Sequence, residues 1–443
     1  MTMPTAARKV SAPIRSIRAV PKPSLRGNTD ACPGALRLHD AADGPLARVR
    51  VPGGRMTGAQ LAAIRRLAEE HGDGHAELTS RANLQLRALK NAPVGELQAR
   101  LEAAGLLPSP THELVRNIAA SPLAGGPLDI SSLVTTLDRA LCADPALAAL
   151  PGRFLFAVDS GQGDVAFGAD AAALPLGAEV AILFGGTDAG LRVRPGGVVA
   201  ALLAAAHAFL DERAATQPAG ATAGVEGRRI AWRVRELVDG PARVAARTAA
   251  ALGVPLGEPG EPPRPSVREP VGIIDQPDGL VAVGALVPLG RLSGAQLQVL
   301  ESAVSLVVTP WRGVVLPDLA PAEADSWAAA LAGVGLEVAA GSRWVGVTTC
   351  AGQPGCAKSL ADVRHDAFVT TTVGAGLPVH WVGCARGCGS PAGPHVRVEA
   401  TGSGYEVRSP HLCGFAPPDA PAPGPGLADA CDLGALVGAA RRV

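Results

Sequence analysis

Aromatic residues are scarce in this chain, and its charges cancel. Phe, Trp and Tyr make up 3% of the 443 residues, while Lys plus Arg and Asp plus Glu number 40 each. Without net charge, no overall field favours nucleic acid or an anionic membrane, so an anion site must come from a local group of arginines. We therefore expect neither a nucleic acid nor a membrane as a partner.

Long apolar runs are also missing. No stretch of about 18 or more uninterrupted apolar residues occurs, so the sequence predicts no membrane span. The basic N-terminal segment lacks the apolar region of a secretory signal, and we expect a disordered tail over residues 1–28. These absences favour a cytoplasmic protein whose thiols stay reduced.

A weak internal repeat is present. VRVPGGRMTGAQL at Val49–Leu61 matches ALVPLGRLSGAQL at Ala285–Leu297. Both copies predict a strand, a Gly-containing turn and a helix capped by Thr57 or Ser293. Because the copies lie about half a chain apart and keep their order, gene duplication is favoured over chance similarity.

Four of the eight cysteines form two close pairs. Cys350 and Cys356 enclose five residues, and Cys384 and Cys388 enclose three, all in Gly-rich surroundings. Thiolates on two such loops suit an iron–sulfur cluster. Structural zinc more often uses shorter spacings, and two disulfides suit a secreted protein better, but both alternatives stay open. The remaining cysteines are expected to be small core or loop residues: Cys32, Cys142, Cys413 and Cys431.

The first half contains a row of polar side chains. If the segment 79–87 is a strand, alternation places on one face Thr79, Arg81, Asn83, Gln85 and Arg87. Guanidinium groups grip carboxylates bidentately, so this face suits a polyanionic ligand. Arg116 and Arg153 are further basic candidates. For any single arginine, a solvated strand face is the alternative.

Together these motifs resemble the nitrite and sulfite reductase superfamily, from about residue 32 to 430. The cysteine pattern is similar to the superfamily's cluster signature. T-x-R-x-N-x-Q at Thr79–Gln85, R-N-x-x-x-x-P at Arg116–Pro122 and LPGRF at Leu150–Phe154 resemble its tetrapyrrole-binding segments. The resemblance implies a 4Fe–4S cluster on Cys350, Cys356, Cys384 and Cys388, and a tetrapyrrole held by Arg81, Asn83, Gln85, Arg116 and Arg153.

The resemblance also implies an α+β fold, with duplicated ferredoxin-like half-domains and two larger α/β domains around a pseudo-twofold axis. The Pro- and Gly-rich segment LGEPGEPPRPS at 256–266 predicts a linker. The expected domains are 29–108 (first half-domain), 109–255 (first α/β domain), 256–267 (linker), 268–340 (second half-domain) and 341–443 (second α/β domain, with the cluster).

One departure narrows the expected reaction. Sulfite reductases normally carry two basic residues, two positions apart, in the third segment; Arg153 fills the first position, but Leu155 occupies the second. CPGAL at Cys32–Leu36 and TPWRG at Thr309–Gly313 resemble the precorrin-3B synthases instead. That resemblance implies O2-dependent hydroxylation of precorrin-3A at C20 with γ-lactone formation. It also implies a mononuclear non-haem iron beside the cluster, and electrons from NADH through a donor protein or reductase.

Two other functions remain open. One is a sirohaem-dependent nitrite or sulfite reductase, in which Cys388 would bridge cluster and haem. The other is a non-catalytic tetrapyrrole or iron–sulfur carrier. His380 and His395 flank the second cysteine pair and are candidate ligands of the second iron, although a core or surface histidine is the alternative. If the repeat holds, Arg312 also faces the site.

Overall fold

The computed structural model describes residues 32–90, 92–123, 126–216, 230–260, 269–374, 376–391, 393–410 and 430–442. The expected tail over 1–28, most of the linker and Cys413 lie outside these residues, as does the side chain of Cys431. Among the helices in the described ranges, none combines the length and hydrophobicity that a bilayer crossing requires.

The first half-domain alternates short strands and two helices. Its elements are β1 (His39–Ala41), β2 (Gly44–Val49), β3 (Arg55–Thr57), α1 (Gly58–His71), β4 (Ala76–Leu78), β5 (Leu84–Leu86) and α2 (Val94–Ala103). Helix α1 buries Leu61, Ile64 and Leu67 on one stripe, the helical spacing that directs apolar residues toward a sheet.

A larger α/β unit follows. Its elements are β6 (Ile118–Ala120), α3 (Ile130–Ala143), β7 (Phe156–Val158), β8 (Ala171–Leu176), β9 (Glu179–Phe184), β10 (Thr187–Val193), α4 (Val198–Ala215) and α5 (Gly240–Leu252). The sheet order is β10-β9-β8-β7-β6, with β6, β7 and β8 parallel. Parallel strands need apolar cover on both faces, and Ala- and Phe-rich β7–β9 have it.

The same sequence of units occurs again in the second half. The second half-domain contains β11 (Gly272–Asp275), β12 (Val281–Leu286), β13 (Arg291–Leu292), α6 (Gly294–Leu300), β14 (Ser305–Val308), β15 (Gly313–Leu319) and α7 (Ala324–Gly333). The final unit contains β16 (Val347–Thr349), α8 (Val363–Thr370), β17 (Val379–Val382), β18 (Val396–Thr401), β19 (Gly404–Arg408) and α9 (Ala430–Arg441). Its sheet order is β16-β17-β18-β19, and its first three strands are parallel.

The two half-domains exchange edge strands. Strand β13 of the second half completes the first sheet, β1-β2-β5-β4-β13, and β3 of the first half completes the second, β11-β12-β15-β14-β3. Glu77 pairs with Arg291, and Met56 pairs with Leu306. One apolar core runs through both half-domains. The expected α+β fold with a pseudo-twofold repeat is confirmed, whereas the predicted domain boundaries stay predictions.

The predicted helix caps are confirmed in both copies. The Gln60 N–H donates to Thr57 Oγ1 at 3.2 Å while the Gln60 side chain accepts from the Thr57 N–H at 3.0 Å. Ser293 and Gln296 make the same reciprocal pair at 3.4 and 2.9 Å. Each pair satisfies two N–H groups that a helix start leaves without partners.

The strand predicted over 79–87 is wrong at its beginning. Thr79 to Ala82 form a turn in which Ala82 has φ 56°, and the strand starts only at Leu84. The second half has an equivalent turn from Thr309 to Gly313, with Arg312 at φ 65°. In both turns the threonine Oγ1 accepts from the N–H four residues later, at 3.1 and 2.9 Å.

Gly58 tests how closely the two halves approach each other. A Cβ on Gly58 would lie 2.1 Å from the Glu301 carbonyl oxygen, which belongs to the second half. We expect Gly58→Ala to lower the free energy of unfolding by about 1–3 kcal/mol. The control Gly95→Ala, in the first turn of α2 with open space around the added atom, should be neutral or stabilise by about 0.5–1 kcal/mol. Urea denaturation measures both, and equal losses would contradict the close approach.

Candidate functional site

The two cysteine pairs lie at the carboxyl ends of neighbouring parallel strands. Cys350 directly follows β16, and its N–H donates to the Trp381 carbonyl of β17 at 2.8 Å. The loop after β17 carries Cys384 and Cys388, and the Gly383 N–H donates to Cys350 Sγ at 3.2 Å. The ends of adjacent parallel strands lie at one sheet edge, so both loops converge there.

Cys388 lies within electrostatic range of the other three thiols. Burial raises the pKa of Cys388 above its ordinary value; the cation of Arg386 opposes this shift, while Cys350, Cys384 and Cys356 add to it. Four thiols near one point would repel as thiolates unless a cation held them. The arrangement therefore suits a metal centre.

The distances between the cysteine sulfur atoms bear on whether these thiols hold one zinc ion. Four thiolates on one tetrahedral zinc ion, at about 2.3 Å each, would lie about 3.8 Å from one another. Among the described residues, no three of these sulfurs lie within 4.8 Å of one another, and the four cysteines are free thiols. These positions are not those of four ligands on one zinc ion, and the preference for a cluster of several irons rests on the cysteine pattern.

The first half repeats the loop without thiols. Ser121 follows β6 as Cys350 follows β16, and its N–H donates to the Val158 carbonyl of β7 at 3.1 Å. The Ser160 N–H donates to Ser121 Oγ at 2.9 Å, where the other half has Gly383 and Cys350. At these equivalent positions the first half has a hydroxyl group and the second half has a thiol.

The structure brings Arg81 and Arg153 together. The Arg81 guanidinium donates to the carbonyls of Gly152 and Arg153 at 3.3 and 3.0 Å. Burial lowers the pKa of Arg81 to about 10; Arg233 and Arg153 lower it as well, whereas Asp170 and Cys32 oppose them. The cation is thus fixed in direction and only partly neutralised, as an anion-binding group must be.

Two arginines outside the predicted site, Arg48 and Arg50, lie near Arg81 and Arg153. Arg48 interacts electrostatically with Arg153 and Cys32, and Arg50 does so with Arg48, Arg81 and Cys32. Arg48 Nε and Arg50 Nη1 are buried and have no hydrogen-bond partner among the residues that the structure describes. The signal in the sequence was their alternation with Val49 and Val51, at the end of β2 and just beyond it. We call Arg48, Arg50, Arg81 and Arg153 the arginine group; its unpaired buried donors call for an anion.

Asn83 and Gln85 are occupied within the protein. Asn83 Oδ1 accepts from the Val51 N–H at 2.9 Å, and its Nδ2 donates to Asn117 at 3.2 Å. Gln85 Oε1 accepts from Arg48 Nη2 at 2.8 Å, and its Nε2 donates to Glu77 at 2.7 Å. Both amides hold the strands and Arg48 in place. Their role in tetrapyrrole binding stays a prediction.

Arg116 lies in an internal ion pair. Its Nε and Nη2 donate to both oxygens of Asp138 at 2.8 and 2.7 Å, and Nη1 donates to the Leu106 carbonyl at 3.0 Å. The residue is 3% exposed. Its contact with a tetrapyrrole also stays a prediction, and binding through Arg116 would require an exchange of partners.

Arg87, from the same predicted row, contacts the loop that carries Cys350 and Cys356. It donates to both oxygens of Asp43 at 2.8 and 2.9 Å and to the Gly355 carbonyl at 2.6 Å. Gly355 directly precedes Cys356. The first half therefore braces the loop that carries two of the thiols.

His380 does not fit a second iron, because both of its ring nitrogens are bonded within the protein. His380 is fully buried, its Nε2 donates to the Cys388 carbonyl at 3.0 Å, and its Nδ1 accepts from Thr348 Oγ1 at 2.7 Å. Burial lowers the pKa of His380 to about 4, so the ring stays neutral with both nitrogens used. His395 is bonded through Nδ1 to the Gly393 carbonyl at 2.8 Å. A mononuclear iron held by these two rings is not supported.

Removing one thiol tests the ligand set. We expect Cys384→Ser to lose the iron and the visible absorbance of the reconstituted cluster, because three thiolates hold it poorly. Cys142→Ser, on α3 in the first half, is the control and should keep both. Iron and sulfide assays with absorption spectra measure the outcome. An unchanged iron content in Cys384→Ser would contradict the assignment.

Comparisons with known proteins agree with this architecture. A family model described as "Nitrite/Sulfite reductase ferredoxin-like half domain" matches residues 39–104 and 274–334, one match in each half. The solved structure of the Mycobacterium tuberculosis NirA protein matches with a TM-score of 0.65 at 22% identity, over 82% of this chain and 74% of that one. This likeness concerns the fold.

Sequence relatives extend over most of the chain. A ferredoxin–nitrite reductase of Synechococcus elongatus is 30% identical over 387 residues, which are 78% of this chain and 74% of that protein. A precorrin-3B synthase of a Sinorhizobium species is 28% identical over 398 residues, 85% of this chain and 81% of that protein. Given these matches and the duplicated half-domains, the chain belongs to the nitrite and sulfite reductase family.

Proposed function

We propose that this protein holds a 4Fe–4S cluster on Cys350, Cys356, Cys384 and Cys388 and acts as a precorrin-3B synthase. It would hydroxylate precorrin-3A at C20 and close a γ-lactone from the ring A acetate. One atom of O2 enters the product, and the other leaves as water. A donor protein or reductase, drawing on NADH, would supply the two electrons, and two protons complete the balance.

The apolar environment of Leu155 supports the synthase reaction over the reduction of nitrite or sulfite. Its side chain is 8% exposed and packs in an apolar cluster with Val165 and Leu183, against which Trp311 packs from the other half. A second cation beside Arg153 would clamp a small inorganic anion, and this position offers none. The Sinorhizobium synthase also matches a larger share of both chains than the nitrite reductase does.

The arginine group would bind the carboxylates of the macrocycle. Because carbonyls of the 150–153 segment hold Arg81, its guanidinium is oriented before the ligand arrives. A carboxylate would also supply the partners that Arg48 Nε and Arg50 Nη1 lack. Several fixed cations suit a ligand with many carboxylates better than one with a single charge.

The thiolate loops would hold the redox group on the opposite side of the site. When bound, the cluster supplies electrons one at a time, which side chains alone cannot do. The chain itself holds the Gly383 N–H toward Cys350 Sγ and holds the Cys388 carbonyl through His380. Hydrogen bonds of this kind orient ligands and tune the group they hold.

A second candidate is a sirohaem-dependent nitrite or sulfite reductase. The 30% identity to the nitrite reductase favours it. It requires a protein with a strong haem-type spectrum that reduces nitrite or sulfite. A non-catalytic tetrapyrrole carrier is the third reading, in which precorrin-3A would bind without consuming oxygen.

One turnover experiment separates the three functions. The protein is reconstituted without oxygen, mixed with precorrin-3A and a chemical reductant, and then exposed to 18O2. We expect a product heavier by one labelled oxygen atom. Binding without a mass gain would leave the carrier, and sirohaem in the purified protein, with nitrite reduction, would replace the synthase. Cys384→Ser protein is the control for uncatalysed oxidation.

Arg153 offers a binding test. We expect Arg153→Met to weaken precorrin-3A binding about tenfold or more, because a charge-assisted hydrogen bond contributes about 1.5–3 kcal/mol. Arg139→Met, an exposed arginine on α3, is the matched control and should bind as the unmodified protein does. Fluorescence titration measures the Kd, and the cluster absorbance should be the same in both variants. Equal affinities would remove Arg153 from the site.

A further inference from the structure

Arg312 reaches from the second half-domain to the loop that carries Cys384 and Cys388. It sits in the left-handed position of the Thr309–Gly313 turn, where the first half has Ala82. A Cβ on Gly290 would lie 2.7 Å from Arg312 Cδ, so the arginine stem needs that glycine. Arg312 Nη2 lies 3.2 Å from the position of a Cβ on Gly389, the residue after Cys388.

The positive charge of Arg312 has little compensation. Within the described residues, no carboxylate forms a hydrogen bond with its guanidinium. Burial lowers its pKa; Glu77 opposes this shift, and Arg364 adds to it. Glu77 itself is bonded to Gln85 and Arg364. A partly buried cation without a bonded anion is unfavourable, which indicates that an anion lies beside it in the loaded protein.

Other arginines near the two loops that carry the thiols differ from Arg312 in exposure or in ion pairing. Arg87 is neutralised by its two bonds to Asp43. Arg386, between Cys384 and Cys388, is exposed to solvent. Water and salt screen an exposed charge, so Arg386 acts weakly over distance. Arg397 donates to the Ala385 carbonyl at 2.9 Å but is paired with Glu399, also at 2.9 Å. Among the described arginines at the loop carrying Cys384 and Cys388, Arg312 therefore combines partial burial with a charge that no bonded carboxylate neutralises.

We propose that Arg312 is a positioning residue for electron transfer, and that its charge raises the reduction potential of the cluster on Cys350, Cys356, Cys384 and Cys388. Reduction adds one electron to a group that four thiolates already make anionic. A nearby cation stabilises this reduced form more than the oxidised one, and so favours reduction. The inference rests on the cluster proposed above and is independent of the reaction.

The test measures the midpoint potential of the reconstituted cluster. Unmodified protein, Arg312→Met, Arg312→Lys and Arg386→Met are titrated with redox dyes while the reduced cluster is followed by EPR. We expect Arg312→Met to shift the potential to more negative values and Arg312→Lys to restore most of the shift. Arg386→Met removes an equal charge from the loop between Cys384 and Cys388, and because Arg386 is exposed to solvent, its loss should shift the potential less.

Salt separates the two variants further. At about 1 M salt the Debye length falls to about 3 Å, so the effect of Arg386→Met should vanish. The shift in Arg312→Met should persist, because the Arg312 side chain is partly buried. Iron content and the EPR line shape show whether each variant holds an intact cluster.

Other outcomes would overturn the inference. An intact cluster with an unchanged potential in Arg312→Met would refute it, and a weaker affinity for precorrin-3A in that variant would then assign Arg312 to the tetrapyrrole. An equal shift in Arg386→Met at high salt would also refute a special role. If the unmodified protein takes up no cluster, the proposed function fails first, and the two failures are distinguishable.

Discussion

The exchange of edge strands between the half-domains is the constraint on which the rest of the structure depends. Neither of the two half-domain sheets is complete without a strand from the other half, and a single core fills the space between them. This exchange fixes the position of each half relative to the other. The site requires it, because Arg87 and Glu77 of the first half bond to Gly355 and Arg364 of the last unit.

The duplicated halves have equivalent backbones but different side chains at the positions near the site. The loop after β6 has Ser121 where the loop after β16 has Cys350, and the turn after β4 has Ala82 where the turn after β14 has Arg312. The backbone hydrogen bonds remain the same while the side chains differ. The first half supplies the arginine group, and the second half supplies the thiols. In the proposed function, these two contributions would form one site.

Local features of the sequence predicted the parts of the structure that depend on local geometry. The caps at Thr57 and Ser293 follow from one side chain bonding three residues ahead, and the paired cysteines follow from their spacing. The turn at Thr79–Ala82 was not predicted. The alternation of polar and apolar residues is the same in a strand and in a turn with one left-handed residue. Contacts such as Arg87 with Gly355 join distant segments, and no local pattern encodes them.

The pairing of β4 with β13 has a consequence for the order in which the protein forms. Glu77 meets its strand partner Arg291 only after the whole intervening unit has left the ribosome. Until then β4 presents an open edge, the kind of surface on which chains associate wrongly. The first half-domain is therefore synthesised early, but its sheet is completed only after β13 has been synthesised. Slow synthesis through the middle unit would prolong the period in which this edge needs protection.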